Sequence, residues 1–223
     1  MSLTALVFDF DGLILDTETP EFEAWTTIFQ ARGHQFPDEW WMHAIGRGAD
    51  QITETPIDLL QRQMGEPLDH TAIAGEYEHL RMARINSLDA LPGVRALIAH
   101  SKQNGVRLAV ASSSHHRWVD GHLARLGLLD SFEAVLCAGD VPRAKPFPDL
   151  YQAACDALGV SPSVALALED SPNGIRAAKD AGLYCIAIPN PMTSRLDLSH
   201  ADRIRDSLEG TTFDHLVSSV LDE

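Results

Sequence analysis

Two aspartates near the start of the chain, Asp9 and Asp11, stand two residues apart directly after the short apolar run of residues 5–8. On an extended strand, side chains two positions apart point to the same side, so both carboxylates would share one small space. Like charges that close repel each other unless a cation or a proton separates them. The pair therefore suits a metal site or an acid and base pair, and a polar turn after a strand is the plain alternative.

A second acidic pair, Glu169 and Asp170, closes another apolar run at residues 164–168. In open parallel sheets, ligands bind beyond the carboxyl ends of the strands, so both acidic pairs are expected to meet in one crevice. A hard cation such as Mg²⁺ takes oxygen ligands and would explain why carboxylates converge there. Each residue also has an ordinary structural alternative, since Asp170 could cap the following helix and Glu169 could lie in a solvated turn.

A third apolar run, residues 108–111, ends in three serines, Ser112, Ser113 and Ser114. Hydroxyl and backbone N–H groups at a helix start bind phosphate well, although serines there commonly serve only as helix caps. Lys145 lies in a segment with two prolines ahead of a predicted helix, where a lysine is ordinarily a surface residue. In the same crevice, its ammonium group would neutralise a phosphate that the carboxylates repel.

The elements that would position these residues are short apolar strands that alternate with amphipathic helices. The predicted strands are residues 5–9, 107–112, 134–138, 164–170 and 184–189. The predicted helices are residues 94–103, 117–126, 150–158 and 174–181, each followed by a glycine suited to end a helix. This alternation predicts an α/β fold, a Rossmann-like doubly wound parallel sheet with right-handed crossovers.

Residues 17–88 interrupt the alternation, because they show helical spacing and no convincing buried strand. Phe22, Trp25 and Phe29, for example, share one helical face. The sequence therefore predicts two domains, a core formed by residues 1–16 and 89–223 and an inserted all-helical cap formed by residues 17–88.

The composition excludes several classes of protein. The chain has 223 residues, 45% of them hydrophobic, and a formal net charge of -15. This is enough apolar material for a buried core, and the charge has the wrong sign for binding a nucleic-acid backbone. No apolar run approaches the roughly 20 residues of a membrane-spanning helix, and the N-terminus does not read as a signal peptide. Three cysteines without zinc-ribbon or redox-pair spacing favour a reducing, cytoplasmic location.

Four short segments resemble, in order, the four motifs of the haloacid dehalogenase superfamily. They are Asp-Phe-Asp-Gly at residues 9–12, Ser112 at a strand end, Lys145 with the proline after it, and Leu-Glu-Asp-Ser at residues 168–171. The resemblance covers the whole chain. Within the superfamily, the helical insertion directly after the first motif is similar to that of the β-phosphoglucomutase-like phosphatases, which carry a helical cap.

The resemblance implies a catalytic set with four members. Asp9 would be the nucleophile, Asp11 the general acid and base, and Ser112 and Lys145 would bind the transferring phosphoryl group. The implied cofactor is Mg²⁺. Its implied ligands are Asp9, the backbone carbonyl of Asp11, Asp170 and Glu169, the last of these orienting ligands or metal-bound water.

The implied activity is hydrolysis of a small phosphorylated metabolite, with sugar phosphates as the leading class. The predicted substrate contacts are Gly12, Glu18, Glu21, Arg47, Ser113, Ser114 and His116. A cap that opens and closes on hinges near residues 16–17 and 87–88 would exclude water during the reaction. No nucleic-acid or membrane partner is expected, and the chain is expected to be a monomer or a weak homodimer.

Two alternatives remain at this point. A β-phosphoglucomutase-like sugar phosphomutase would form the same phosphorylated aspartate, but those mutases carry a histidine where this chain has Glu21, which favours a phosphatase. A non-catalytic phosphate-binding or signalling module is the alternative from another class. Receiver domains of that kind are about 120 residues long and have no helical insertion, so the length of this chain argues against it.

Overall fold

The computed structural model describes residues 3–45 and 53–221, and its centre is a six-stranded parallel sheet with the order β3-β2-β1-β4-β5-β6. The strands are β1 Ala5–Phe8, β2 Arg107–Ala111, β3 Ala134–Leu136, β4 Ala165–Glu169, β5 Tyr184–Ala187 and β6 Arg203–Ile204. The chain builds the sheet outward from β1 on one side and then crosses to β4 on the other. The carboxyl ends of β1 and β4 therefore flank a topological switch point, where ligands of such sheets bind.

The helices fall into two groups along the chain. Those before β2 are α1 Glu18–Gln30, α2 Asp38–Ala44, α3 Pro56–Met64, α4 His70–Ile85 and α5 Val94–Gln103. Those after β2 are α6 His116–Arg125, α7 Asp149–Leu158, α8 Pro172–Asp180 and α9 Phe213–Leu221. Helices α5 to α9 cover the sheet, whereas α1 to α4 form the helical segment between β1 and α5.

The central strand β1 is buried on both faces because helices lie on each side of the sheet. Leu6 and Phe8 pack into one hydrophobic cluster with residues of α5, α6 and α9. Ala5 and Val7 point the other way and pack into a second cluster with residues of α7 and α8. The alternation of side chains along one strand thus links both halves of the core.

The predicted doubly wound α/β fold is confirmed, and the ends of the predicted core elements differ from the observed ones by two residues at most. The glycines predicted to end helices, Gly105, Gly127, Gly159 and Gly182, all have positive φ. The predictions lack β6, which at two residues is too short for a recognisable alternation. They also lack α9, although its apolar residues have helical spacing.

Helices α1 to α4 have a hydrophobic core of their own, to which Trp25, Phe29 and Leu60 belong. Residues of the loop after β5, Met192 and Leu196, pack against the edge of this cluster. The assignment of residues 17–88 to a separate cap with hinges at its two ends stays a prediction. None of the helices in the described ranges is both long and apolar enough to cross a membrane.

Candidate active site

The carboxyl edge of the sheet brings Asp9, Lys145 and Glu169 into contact. Asp9 follows β1 directly, and its backbone N–H still donates to the carbonyl oxygen of Leu168 at 2.9 Å, so the ladder fixes its position. The Lys145 ammonium donates to Asp9 Oδ1 and, at 2.6 Å, to Glu169 Oε1. Lys145 is only 4% exposed, which makes it a buried bridge between two carboxylates and not a surface residue.

A cavity of about 810 Å³ opens over this edge of the sheet, with the helices α1 to α4 on its far side. The core contributes polar and charged residues to its wall, namely Asp9, Asp11, Ser112, Ser113, Ser114, Lys145 and Asp170. The helical segment contributes mainly aromatic and apolar residues, among them Trp25, Trp40, Trp41, Ile57 and Tyr77. A cavity of this size is large enough for a small metabolite.

Glu169 is fully buried, and both of its carboxylate oxygens accept hydrogen bonds. Besides Lys145, Oε1 accepts from the Tyr151 hydroxyl at 2.7 Å. Oε2 accepts from the backbone N–H groups of the next two residues at 3.2 and 3.3 Å and from the Ser171 hydroxyl at 3.2 Å. Gly174 lies so close that a Cβ there would overlap this carboxylate. Glu169 therefore does not lie in a solvated turn, because it anchors Lys145 to the start of α8.

Asp11 lies in the cavity wall and accepts hydrogen bonds on both oxygens. Oδ1 accepts from the Thr17 hydroxyl at 3.0 Å and from the Trp118 indole N–H at 2.8 Å. Oδ2 accepts from the Ser114 hydroxyl at 2.7 Å and from the Ser112 hydroxyl at 3.4 Å. These donors come from the start of α1, the loop after β2 and helix α6, so three parts of the chain orient one carboxylate.

Asp170 is positioned by an asparagine that follows β5. Asn190 Nδ2 lies 2.8 Å from Asp170 Oδ2, 2.9 Å from Glu18 Oε2 and 3.2 Å from the carbonyl oxygen of Gly12. Gly12 has φ +80°, and a Cβ at this position would collide with Asp170 Oδ2 and with the Asn190 amide. Only glycine both adopts this backbone conformation readily and leaves room for the two side chains.

The acidic residues around the cavity favour a bound cation. Burial raises the pKa of Asp9 to about 8, against the opposing effect of Lys145, and raises that of Glu18 to about 8. Burial also raises the pKa of Asp170 well above its usual range, and neighbouring carboxylates add to the shift. Carboxylate oxygens of Asp9, Glu169 and Asp170 lie within 4.8 Å of one another. This all-oxygen set of converging carboxylates fits a divalent cation such as Mg²⁺.

On the opposite wall, Glu21 pairs with an arginine of α4. Arg81 Nη1 lies 3.0 Å from Glu21 Oε1, and burial raises the pKa of Glu21 to about 7 although Arg81 opposes the shift. The Arg81 guanidinium carbon lies over two aromatic rings, 5.4 Å from the centre of Tyr77 and 4.8 Å from that of Trp118. Because Trp118 belongs to α6, Arg81 connects the helical segment to the core beside Asp11.

The remaining predicted substrate contacts have different surroundings. Ser113 lines the cavity, and its buried hydroxyl has no hydrogen-bond partner among the described residues. The His116 ring is directed to Asp120 at 3.1 Å and to Asp140 at 2.8 Å, and His116 is absent from the cavity wall. Arg47 lies outside the described residues. The role of each predicted site residue stays a prediction.

Sequence reasoning missed three residues that hold the site together. Asn190 follows β5 at the carboxyl edge of the sheet. It was therefore predictable from the same rule that indicated Asp9, namely that ligands bind beyond the carboxyl ends of parallel strands. Tyr151 and Trp118 lie on helices in positions typical of core packing, and their spacing carries no sign that they donate to Glu169 and Asp11. Trp25, Trp40 and Trp41 belong to the aromatic packing of the helical segment and also line the cavity.

Comparison with known proteins agrees with this fold. Residues 3–182 match the family of haloacid dehalogenase-like hydrolases. The chain is 42% identical over 206 residues to YhcW of Bacillus subtilis, provisionally named a phosphatase, with 92% of each chain covered. It is 32% identical to the fructose-1-phosphate phosphatase YqaB of Escherichia coli strain K12, covering 82% of this chain and 95% of the other.

Among solved structures, a mutant of CbbY from Rhodobacter sphaeroides in complex with xylulose-(1,5)bisphosphate superimposes with a TM-score of 0.74. The two chains are 30% identical, and the match covers 96% of this chain and 99% of the other.

The sheet order and the polar carboxyl edge thus define a doubly wound α/β protein whose ligand site lies at the topological switch point. The chain belongs to the haloacid dehalogenase-like hydrolases. The family and the enzyme class predicted from the sequence, a phosphomonoester hydrolase, are confirmed.

Proposed function

We propose that this protein is a Mg²⁺-dependent phosphatase that hydrolyses a small phosphorylated metabolite through a phosphorylated Asp9. The observation that carries the proposal is the placement of Asp9 at the floor of the cavity. Its carboxylate is held by the buried Lys145, and the carboxylate of Asp11 lies in the same cavity wall. A nucleophile and a separate acid and base group are the two parts that this chemistry needs.

In the first step, an oxygen of Asp9 attacks the phosphorus atom of the substrate, and the bond between phosphorus and the substrate oxygen breaks. Asp11 donates a proton to that departing oxygen, so the product leaves as an alcohol. The ammonium of Lys145 and the hydroxyl of Ser112 bind the phosphoryl oxygens as the charge moves between them. Both groups border the cavity beside Asp9 and Asp11, which supports these roles.

In the second step, Asp11 takes a proton from a water molecule, and the oxygen of that water attacks the phosphorus atom. The bond between phosphorus and Asp9 breaks, which releases inorganic phosphate and restores the carboxylate. Asp11 ends the cycle protonated again, so protons balance over the two steps. The hydrogen bonds from Thr17, Ser114 and Trp118 keep this carboxylate in place for both transfers.

Asp9, Asp170 and the backbone carbonyl of Asp11 would hold the Mg²⁺ ion, with Glu169 fixing the surrounding loop and Lys145. When bound, the ion would neutralise charge on the phosphoryl group. The raised pKa values of Asp9 and Asp170 support this assignment, because a divalent cation would keep both carboxylates ionised.

The substrate is proposed to be a sugar phosphate. The aromatic wall formed by Trp25, Trp40 and Trp41 offers an apolar surface for the carbon-bound hydrogens of a sugar ring. The names of the relatives support the same class, since one acts on fructose 1-phosphate and another was crystallised with a sugar bisphosphate. Phosphatase chemistry is favoured over mutase chemistry because Glu21 is already paired with Arg81, and relatives at 32% and 42% identity are named phosphatases.

The test measures inorganic phosphate released from a panel of esters that includes fructose 1-phosphate, glycerol 3-phosphate, β-glucose 1-phosphate and 2-deoxyglucose 6-phosphate. The protein is first treated with EDTA and then assayed with and without added Mg²⁺. We expect phosphate release from at least one sugar phosphate, lost with EDTA and restored by Mg²⁺. Isomerised sugar phosphate without free phosphate would make the protein a mutase. No turnover of any ester would favour the alternative of a non-catalytic phosphate-binding or signalling module.

The Asp9→Asn variant tests the nucleophile. It is expected to lower phosphate release by roughly 10⁴-fold or more, because the amide cannot form the covalent intermediate. Mass spectrometry of acid-quenched wild-type protein should detect one added phosphoryl group that hydroxylamine removes, as expected of an acyl phosphate. Undiminished activity of Asp9→Asn, with its circular dichroism spectrum unchanged, would overturn the assignment.

A further inference from the structure

Trp118 lies on α6, one of the helices that cover the sheet, and contacts the carboxylate of Asp11 directly. Its indole N–H donates to Asp11 Oδ1 at 2.8 Å, and its ring lines the cavity. The ring also packs edge to face against His122, one turn further along α6, with 4.2 Å between ring centres. Trp118 is therefore fixed on its own helix while its polar edge reaches the cavity.

The four donors to Asp11 differ in how strictly they fix a carboxylate. Thr17, Ser112 and Ser114 donate through hydroxyl groups, whose hydrogens rotate and whose oxygens also accept hydrogen bonds. An indole N–H is donor only and points in one direction in the plane of its ring. Of these four donors, Trp118 therefore defines the position of Asp11 Oδ1 most strictly.

The second contact of Trp118 crosses to the helical segment. Arg81 of α4 lies over the indole ring at 4.8 Å from its centre. The guanidinium group is held in this position by Glu21 at 3.0 Å and by Glu78 at 2.7 Å. A cation over an indole face is attracted to the ring, so the packing of α4 against the core bears on the indole that holds Asp11.

We propose that Trp118 is a positioning residue for Asp11, and that Arg81 ties its indole to the helical segment. This inference rests on the proposed role of Asp11 as the acid that protonates the departing oxygen. A misplaced Asp11 matters most when the leaving group is a poor one. An alkyl phosphate needs a proton on its leaving oxygen, whereas p-nitrophenyl phosphate releases a stable phenolate with little help.

The test is Trp118→Phe, which keeps an aromatic face for Arg81 and removes the N–H donor. The quantity measured is kcat/KM, which covers the steps up to departure of the leaving group. For the best sugar phosphate of the panel, we expect kcat/KM to fall by about 10- to 100-fold, the effect of losing a hydrogen bond to a charged group. For p-nitrophenyl phosphate, we expect a fall of less than about threefold. Equal losses on both substrates, or no loss on either, would overturn the proposal.

Two further variants make the result specific. Val119→Ala shortens the side chain next to Trp118 on α6, at a buried position that does not belong to the cavity wall. It should leave the ratio of the two kcat/KM values unchanged, and a shift as large as that of Trp118→Phe would count against the proposal. If Trp118→Phe does not fold, benzothienylalanine at position 118 keeps the indole shape without the N–H and gives the same comparison.

Asp11→Asn separates failure of this inference from failure of the proposed function. If Asp11→Asn loses activity selectively on the sugar phosphate and Trp118→Phe does not, the role of Trp118 is wrong and that of Asp11 stands. If Asp11→Asn is not selective, the proposed acid is wrong and the inference falls with it. Arg81→Gln tests the link to the helical segment. It should lower kcat/KM more for the sugar phosphate than for p-nitrophenyl phosphate, by less than Trp118→Phe does. An equal loss on both substrates would exclude a link from Arg81 through Trp118 to Asp11.

Discussion

The core and the helical segment each form one wall of the same cavity, and the two walls differ in the type of residue that lines them. On the core side, Asp9, Lys145 and Glu169 are buried charges joined to one another by hydrogen bonds. On the helical side, Trp25 and Trp40 belong to a cluster of aromatic and aliphatic side chains. A buried charge needs a specific partner of opposite charge or a hydrogen bond, since burial of an unpaired charge costs free energy. Apolar side chains need only buried area and complementary shape.

Because of this difference, the two walls are expected to have different roles, one in catalysis and the other in substrate selection. Because the core groups depend on one another, a change at any of them should disturb the others and reduce catalysis with every substrate. The aromatic wall has fewer fixed polar partners, so changes there should alter which substrate binds more than how it reacts. Arg81 and Glu21 are the exception, because they form a partly buried ion pair within the helical segment.

The largest effect that would test the charged core is expected from Lys145→Met. It removes a cation that is 4% exposed and leaves Asp9 buried without it. We expect phosphate release to fall by roughly 10³-fold, and the free energy of unfolding to drop by about 3 kcal/mol near neutral pH. The first is measured with the phosphate assay and the second by urea denaturation.

The stability loss of Lys145→Met should also depend on pH. The pKa of Asp9 is already raised to about 8 by burial, and Lys145 opposes that shift. A raised pKa means that the folded state binds the proton more tightly, so stability falls as pH rises from about 4 toward 8. Without Lys145 the pKa of Asp9 rises further, so the fall continues above pH 8, and the stability loss of the variant is larger at pH 9 than at pH 6. Lys102→Met, at a lysine with exposed contacts, is the control, and equal losses for both variants would contradict the prediction.

Alanine variants of two glycines compare a tightly packed position beside the charged core with an open position on another helix. The expected effects are smaller than those of Lys145→Met. Alanine is the better helix former, so helix propensity alone predicts that Gly174→Ala and Gly121→Ala both stabilise the protein, by about 0.5 to 1 kcal/mol. At Gly121 the added Cβ meets open space, and this gain is expected. At Gly174 it collides with the Glu169 carboxylate, so we expect a loss of about 1 to 3 kcal/mol.

Gly174→Ala should also lower phosphate release by about 10-fold, because moving Glu169 moves Lys145 with it. Thermal denaturation and the phosphate assay measure the two effects. If both alanine variants were stabilising and active, Glu169 would have room to move, and the tight packing ascribed to the core wall would be wrong.

The smallest expected effect comes from the helical side, with Glu21→Gln. Burial raises the pKa of Glu21 to about 7 from an ordinary value of 4.5, so its contribution to stability falls as pH rises through this range. Glutamine does not ionise. Between pH 5 and pH 8, the unfolding free energy of the variant should therefore rise relative to wild type by about 2 kcal/mol.

Urea denaturation at the two pH values measures this change. Glu23→Gln, on the same helix with a side chain that is 43% exposed, is the control and should show no such trend. An equal trend in both variants, or none in Glu21→Gln, would mean that Glu21 is not the group responsible.

Much of this protein could be read from its residues in order. Strands with both faces buried are short apolar runs, and the glycines after the helices mark where each helix ends, so the sheet and the core helices were predicted closely. Asp9 and Glu169 follow from the rule that ligands gather at the carboxyl ends of parallel strands. The motifs also indicated the family, because their chemistry depends on residue type and order along the chain.

The contacts that hold the site together were decided only by the tertiary structure. Trp118 reaches Asp11 across 107 positions, and Asn190 reaches Gly12 across 178. Local patterns depend on neighbours within a few residues, so they locate strands, helices and strand ends. Which aromatic or amide side chain finally faces a given carboxylate depends on how distant elements pack, and no local spacing records that.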